Sequence, residues 1–321
     1  MSSTTPGSTT TATETASAAA AVPPRTAVIG LGAMGLPMAR HLAGALPVTV
    51  FDISAERRAL AVADGAAEVT TPADAARDAD VVLLAVRDQA QVDSALFGPD
   101  GVAPALRAGA VVLLTSTVGP DAARATATAL AEYGALLVDA PISGGPTRAG
   151  NGDLLIVVGA EPAALDRARP VLDRLASTLT VIGGNPGDGQ ALKAINQLLA
   201  GVHIAAAAEA VALARGVGLD PRTVIDSLSQ GAAGSFMFAD RGPRMAQAYG
   251  DDADAVEVRS RLDIFVKDMG IVTGIAKNAH VPVPLASAAE QLYLLGERAG
   301  LAGRDDSSIV TVLSPVSEGD R

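Results

Sequence analysis

The stretch Gly30-Leu31-Gly32-Ala33-Met34-Gly35 decides the fold. It reads GxGxxG between an apolar run, Thr26-Ala27-Val28-Ile29, and a helical pattern over residues 36–43. Glycines at those three places permit a sharp turn, a close approach of backbone to a pyrophosphate and tight packing of helix on strand. The helix that follows turns its N-terminal N–H groups toward the phosphates. A second apolar run, Val48-Thr49-Val50-Phe51, ends in Asp52, twenty residues past Gly32. A carboxylate there accepts hydrogen bonds from ribose hydroxyls and repels a 2′-phosphate. The pattern predicts a dinucleotide site for NAD rather than NADP.

Outward from this unit, strand and helix patterns alternate as far as residue 184. Short continuous apolar runs fall at 81–86, 110–114, 135–138, 154–158 and 179–182, with helical stretches at 55–64, 72–77, 120–133 and 161–175. Such runs predict a mostly parallel sheet covered on both faces, a Rossmann-like doubly wound α/β fold. After Gly187-Asp188-Gly189 the strand signals stop, and helical periodicity governs 190–217, 221–229, 256–279 and 284–299. The expected organisation is a disordered tail over 1–24, a dinucleotide-binding domain over 25–186, an all-helical domain over 187–313 for substrate and oligomerisation, and a polar tail over 314–321. The apolar stretch 194–208 is too short to span a bilayer and carries Asn196, Gln197 and His203, so it reads as a buried helix.

Composition removes several chemistries. The chain has 321 residues and no cysteine, which excludes disulfides, thiolate catalysis and thiolate-bound metals and fits a cytoplasmic protein. A formal charge of −11 argues against nucleic acid or an anionic membrane as partner. Residues 1–24 contain no Lys or Arg and no long apolar core, which argues against a signal peptide. No His/Asp/Glu cluster indicates a metal.

Lysine usage narrows the catalytic candidates. Of 24 cationic residues only Lys193, Lys267 and Lys277 are lysines, leaving 21 arginines. Lysine can lose its charge when desolvated; arginine cannot, so proton transfer is one task that requires Lys. Lys193 starts a long helix, with Asn196 and Gln197 at i+3 and i+4 on the same face. A neutral amine there could take a hydroxyl proton as hydride leaves for NAD+. Ser143-Gly144-Gly145 follows a buried strand and suits a carboxylate, although an ordinary turn would look the same. Thr117 ends another strand, where it could contact cofactor or substrate or cap the helix starting at Pro120. Lys267 pairs with Asp263 at i, i+4 on a solvated face, or else enters the interdomain cleft. His41 and His280 read as structural, and His203 as a hydrogen-bonded core residue.

The residues 30–40 (GLGAMGLPMAR), 139–152 (DAPISGGPTRAGNG), 187–196 (GDGQALKAIN) and Lys267-Asp268 resemble, in order and spacing, the β-hydroxyacid dehydrogenase family, which includes 3-hydroxyisobutyrate dehydrogenases and tartronate semialdehyde reductases. The resemblance covers residues 25–313. It implies Lys193 as general acid/base, Asn196 as the residue that orients the substrate, and Ser143, Gly144 and Gly145 as holders of its carboxylate. It also places Thr117 and Lys267 at the nicotinamide and substrate cleft. Many members carry a second Asn where this chain has Gln197, an extra amide suited to a polyhydroxylated substrate. The runs 193–213, 235–241 and 263–272 are most similar to the L-threonate dehydrogenases of that family. The expectation is therefore NAD-dependent oxidation of a small hydroxy acid, a four-carbon sugar acid such as L-threonate, and the apolar, Ala-rich second domain suggests a homodimer or homotetramer. The rival readings are a semialdehyde or 2-oxo acid reductase, and a nucleotide-binding module without turnover. Such a module would not need Lys193, Asn196 and Ser143 together.

Overall fold

The runs TAVI, VTVF, VVLL and VVLL become four parallel strands, three of them buried along their whole length. Alternate side chains feed opposite faces. Val28, Val50, Leu83 and Leu113 enter one apolar cluster, and Ala27, Ile29, Leu84 and Leu114 enter another. A strand buried on both faces has no polar position to alternate with, which is why these runs read as continuous. The structure, a computed structural model, describes residues 22–250 and 252–316. The expected tails over 1–24 and 314–321 fall mostly outside the described residues.

In chain order the elements are β1 (Thr26–Ile29), α1 (Gly35–Ala43), β2 (Val48–Phe51), α2 (Ala55–Val62), β3 (Ala67–Glu68), α3 (Pro72–Ala76), β4 (Val81–Leu84), α4 (Gln89–Phe97), β5 (Val111–Leu114), α5 (Pro120–Ala131), β6 (Leu136–Asp139), β7 (Ile142–Ser143), α6 (Gly145–Gly150), β8 (Leu154–Gly159), α7 (Pro162–Leu175) and β9 (Ala176–Gly183). Six parallel strands run in the order β3-β2-β1-β4-β5-β6. β8 then joins antiparallel to β6 and β7, and β9 lies parallel to β8. The order reverses between β1 and β4, and ligands of such sheets sit beyond the strand ends at that switch point.

The helical part comprises α8 (Asp188–Gly216), α9 (Pro221–Leu228), α10 (Phe236–Gln247), α11 (Leu262–Asn278), α12 (Pro284–Arg298) and α13 (Val310–Leu313). Its core is a third cluster, in which Ile204, Ala208 and Val211 of α8 meet Phe265, Met269 and Tyr293. Phe265 and Tyr293 stack at 5.3 Å, and the buried Tyr293 hydroxyl donates to Gly201 O at 2.9 Å. Three of the longer helices depart from the sequence pattern, besides the short α6 and α13. α4 buries only Val92 and Leu96, too narrow an apolar stripe to register as periodic. α10 holds Gly242 and Pro243 in its interior, residues that normally end helices. α11 starts at Leu262 rather than near 256, because Arg261 is extended and bridged to Asp305.

One hydrogen-bonded knot seats α8 on the sheet. Asp139, at the end of β6 and fully buried, accepts through Oδ2 from the backbone N–H groups of Gly187 and Gln190, both at 2.9 Å. The Gln190 side chain, also fully buried, donates to Asp139 Oδ1 at 2.8 Å and to Ser116 O at 3.0 Å. Its Oε1 accepts from Val118 N at 2.9 Å and Gly119 N at 3.1 Å. Burial pushes the Asp139 carboxyl above the usual range, and these donors pull it back. Gln190→Ala strands a buried carboxylate oxygen and three backbone groups, at a cost of about 3 kcal/mol. Thermal unfolding should show a melting temperature lower by roughly 5–10 °C. Gln190→Glu should do no better, since a second carboxylate would face Asp139. An unchanged midpoint in the Ala variant would show that the knot adds little.

Candidate active site

The glycine loop is shaped by close approach. Gly30 has φ +92°, and a Cβ there would sit 2.6 Å from Ala85 O. A Cβ on Gly35 would collide with the carbonyl oxygen of Gly30. Gly32 has no internal reason to lack a side chain: a Cβ built there meets no atom within 4 Å. That open space above the loop is what a pyrophosphate would occupy. Leu31, Ala33 and Met34 complete the turn into α1. Asp52 Oδ2 accepts from Leu31 N at 2.6 Å and Oδ1 from Ser54 N at 2.8 Å. Each oxygen keeps a lone pair for a ribose hydroxyl. The residues present therefore fit NAD. The nearby Arg58 spends its guanidinium on Asp52 O at 2.6 Å and Glu68 at 3.3 Å.

Lys193 stands in the second turn of α8, 8% exposed, and its Nζ donates to Ile142 O at 2.9 Å. Burial lowers its pKa from 10.5 to about 8; Asp268 opposes the shift and Lys267 adds to it. The acceptor strand β7 continues directly into Ser143, Gly144 and Gly145, so amine and loop share one anchor. Gly144 and Gly145 have φ of +142° and +76°. A Cβ on Gly145 would meet nothing within 4 Å, which leaves its backbone open to a ligand.

Lys267 leaves the solvated face. Its Nζ donates to Thr117 O at 2.8 Å, across 150 residues of sequence. Asp263, its expected partner, is instead paired with Arg87 at 3.1 Å and Arg261 at 2.5 Å. Thr117 does not cap α5, whose N-cap is Gly119; it offers its backbone carbonyl to Lys267. Gln197 is buried, and its Nε2 donates to Asp268 Oδ2 at 2.5 Å while its Oε1 accepts from Asn196 Nδ2 at 2.8 Å. Lys193 with the 143–145 loop, and Asn196, Gln197, Asp268, Lys267 and Thr117 through their hydrogen bonds and ion pair, thus gather where β7 and the end of β5 meet α8 and α11. The glycine loop and Asp52 lie at the strand ends of β1 and β2.

His203 is exposed rather than in the core. His41 joins α1 to the end of α6 by Nδ1 to Gly150 O, 3.1 Å. Sequence reasoning gave no role to Asp139, Gln190, Asp268 or Ser116. Ser116 Oγ donates to Val86 O at 2.7 Å and accepts from Val86 N at 3.1 Å, tying the ends of β4 and β5.

Residues 25–183 match the family model of the NAD binding domain of 6-phosphogluconate dehydrogenase. Residues 187–313 match the model described as NAD-binding of NADP-dependent 3-hydroxyisobutyrate dehydrogenase. The chain belongs to the 3-hydroxyisobutyrate dehydrogenase-like family of β-hydroxyacid dehydrogenases. This dehydrogenase is 39% identical to the L-threonate dehydrogenase of Cupriavidus necator over 286 residues, 89% of this chain and 94% of that one. It superposes on the crystal structure of 3-hydroxyisobutyrate dehydrogenase from Salmonella typhimurium with TM-score 0.82, at 36% identity, over 89% of this chain and 99% of that one. The Mycobacterium tuberculosis 3-hydroxyisobutyrate dehydrogenase, described with L-serine, gives TM-score 0.79 and 28% identity over 91% and 99%. The dehydrogenase is an NAD-dependent oxidoreductase of hydroxy acids.

One matching model carries NADP in its description, so the position of Asp52 bears on cofactor choice. A 2′-phosphate beside this carboxylate meets like charge, worth more than about 1.4 kcal/mol, or tenfold. Steady-state kinetics with each nucleotide should give kcat/KM at least about tenfold higher for NAD+ than for NADP+. Equal values would show that Asp52 does not face the ribose.

Proposed function

We propose that this dehydrogenase oxidises a small polyhydroxylated acid of the L-threonate kind, with Lys193 taking the proton of the reacting hydroxyl. The observation that carries the reading is Lys193 itself: a buried amine, held by one backbone carbonyl, that loses its proton near pH 8. When bound, NAD+ supplies the hydride acceptor. Lys193 Nζ keeps its bond to Ile142 O, which fixes the amine while its remaining positions serve the substrate hydroxyl. Ser143 Oγ and the N–H groups of Gly144 and Gly145 offer donors to the carboxylate. Lys267 steadies the turn at Thr117, at the sheet end that faces α8. The L-threonate dehydrogenases among the relatives support the substrate class. A panel of hydroxy acids, semialdehydes and 2-oxo acids with both nucleotides tests it. Fastest turnover on tartronate semialdehyde or glyoxylate would replace oxidation by reduction as the main activity, and no turnover would leave a binding module.

We further infer a homo-oligomer built on α8. This helix is the one described helix long and apolar enough to cross a membrane, and half of its apolar window is buried inside the fold. The other side is a stripe. Ile195, Leu199 and Leu213 are 51–66% exposed and lie within about 40° of one another around the helix axis. A stripe of this length is covered in stable soluble proteins, and a second copy of the same helix matches it. Light scattering should give at least twice the chain mass of 32.0 kDa. A monomer at micromolar concentration would refute the inference.

For Lys193 the test is substitution. Arg keeps the charge and cannot accept a proton near neutral pH. Lys193→Arg and Lys193→Ala should each lower kcat by about 10²–10⁴-fold, the range of general acid–base catalysis. In the wild type, kcat/KM for oxidation should rise with pH while the amine loses its proton and level off above about 8. The reverse reaction should show the opposite slope, and both limbs should vanish in the variants. Near-normal kcat in Lys193→Arg would leave Lys193 as an anion-binding residue only.

A further inference from the structure

Asp268 is 3% exposed and lies on α11, facing α8. Its Oδ2 takes a 2.5 Å hydrogen bond from Gln197, and Lys267 Nζ lies 2.7 Å from its Oδ1. A carboxylate is acceptor-only, so it dictates which end of the Gln197 amide it meets. That end is Nε2, and Gln197 is left with Oε1 toward Asn196. Oε1 is also an acceptor only. Asn196 must therefore turn Nδ2 toward it, at 2.8 Å. Two amides that could each flip in isolation are locked head to tail by one carboxylate, which the adjacent Lys267 ammonium also pairs with. The remaining atom of the chain is Asn196 Oδ1. It belongs to an exposed residue one helical turn beyond Lys193, and it takes no hydrogen bond among the described residues.

We propose that Gln197 sets substrate specificity: held by Asp268, it presents Asn196 as a hydrogen-bond acceptor and so favours acids that carry a hydroxyl donor beside the reacting carbon. The reacting oxygen itself is a poor partner for that acceptor. It gives up its proton to become a carbonyl, and two acceptors would then face each other. A neighbouring hydroxyl remains a donor throughout the reaction. Gln197 acts through Asn196 and is a positioning residue; the inference rests on the reading that Lys193 and Asn196 flank the substrate.

The test compares L-threonate with its 2-deoxy and 3-deoxy analogues, taking the ratio of kcat/KM for threonate over whichever analogue is oxidised. Gln197→Met keeps the size of the side chain and removes its polarity, so the ratio should fall about tenfold, the value of one neutral hydrogen bond. Gln197→Glu places a second carboxyl beside Asp268, a poor choice for packing and charge. It still accepts from Asn196 whether ionised or protonated, so it should retain most of the ratio. A side chain with a purely structural role would give the reverse ranking. An unchanged ratio in Gln197→Met overturns the proposal, and so does a Gln197→Glu ratio as low as that of Met. If Gln197→Glu does not fold, the Met ratio decides. If the wild type ignores threonate, the substrate assignment fails separately, and the same ratio is read on any vicinal-diol acid it oxidises against its deoxy counterpart. Equal wild-type rates on such a pair also overturn the proposal.

Discussion

A fully buried carboxylate must find its donors within the protein, and Asp139 finds them in the first turn of α8. That requirement joins the sheet to the helical half at the start of α8. Gln190 completes it by reaching past Asp139 to Ser116 O, Val118 N and Gly119 N, so the ends of β5 and β6 and the start of α8 become one rigid piece. Lys193 stands three residues further along the same helix, and Asn196 and Gln197 one turn beyond that. Their positions relative to the strand ends follow from the knot. Groups that must meet a substrate within a few tenths of an ångström need supports whose own rotamers are fixed, and a buried network supplies this better than exposed ion pairs would.

The mechanism proposed for Lys193 sets two opposed electrostatic demands at the site. The amine must give up charge easily, and burial achieves that. The substrate is an anion approaching a chain of formal charge −11. Local donors have to overcome that field, and the open backbone of the 143–145 loop offers them without adding a cation that would perturb Lys193 further. Asp268 mediates between the two demands. It tempers the Lys193 shift, partners the only other lysine nearby and orders the amides of α8.

The dinucleotide unit was legible because its signal is local. Strand, three glycines, helix and Asp52 are bound together by chain geometry over 27 residues, and the structure needs nothing distant to place them. Lys193 stood out for a different reason, the near absence of lysine elsewhere, and the structure buries it. What escaped depends on long-range packing. Asp139 and Gln190 are 51 residues apart, and nothing in either neighbourhood announces the other. Helical spacing allowed Lys267 to pair with Asp263, but Arg87 and Arg261 take that carboxylate and Lys267 reaches Thr117 instead. Helical spacing puts His203 on the same face of α8 as Asn196, but that face is open to solvent and the histidine is exposed with it.

Lysine scarcity also has a practical side. Lys193 is buried and Lys267 is only 20% exposed with its ammonium engaged, which leaves Lys277 near the C-terminal end of α11 as the one exposed lysine among the described residues. Apart from an α-amino group, a reagent that acylates accessible amines meets a single address on each chain. A fluorophore or a solid support attached there would sit in one orientation, at the end of α11 opposite Lys267 and Asp268.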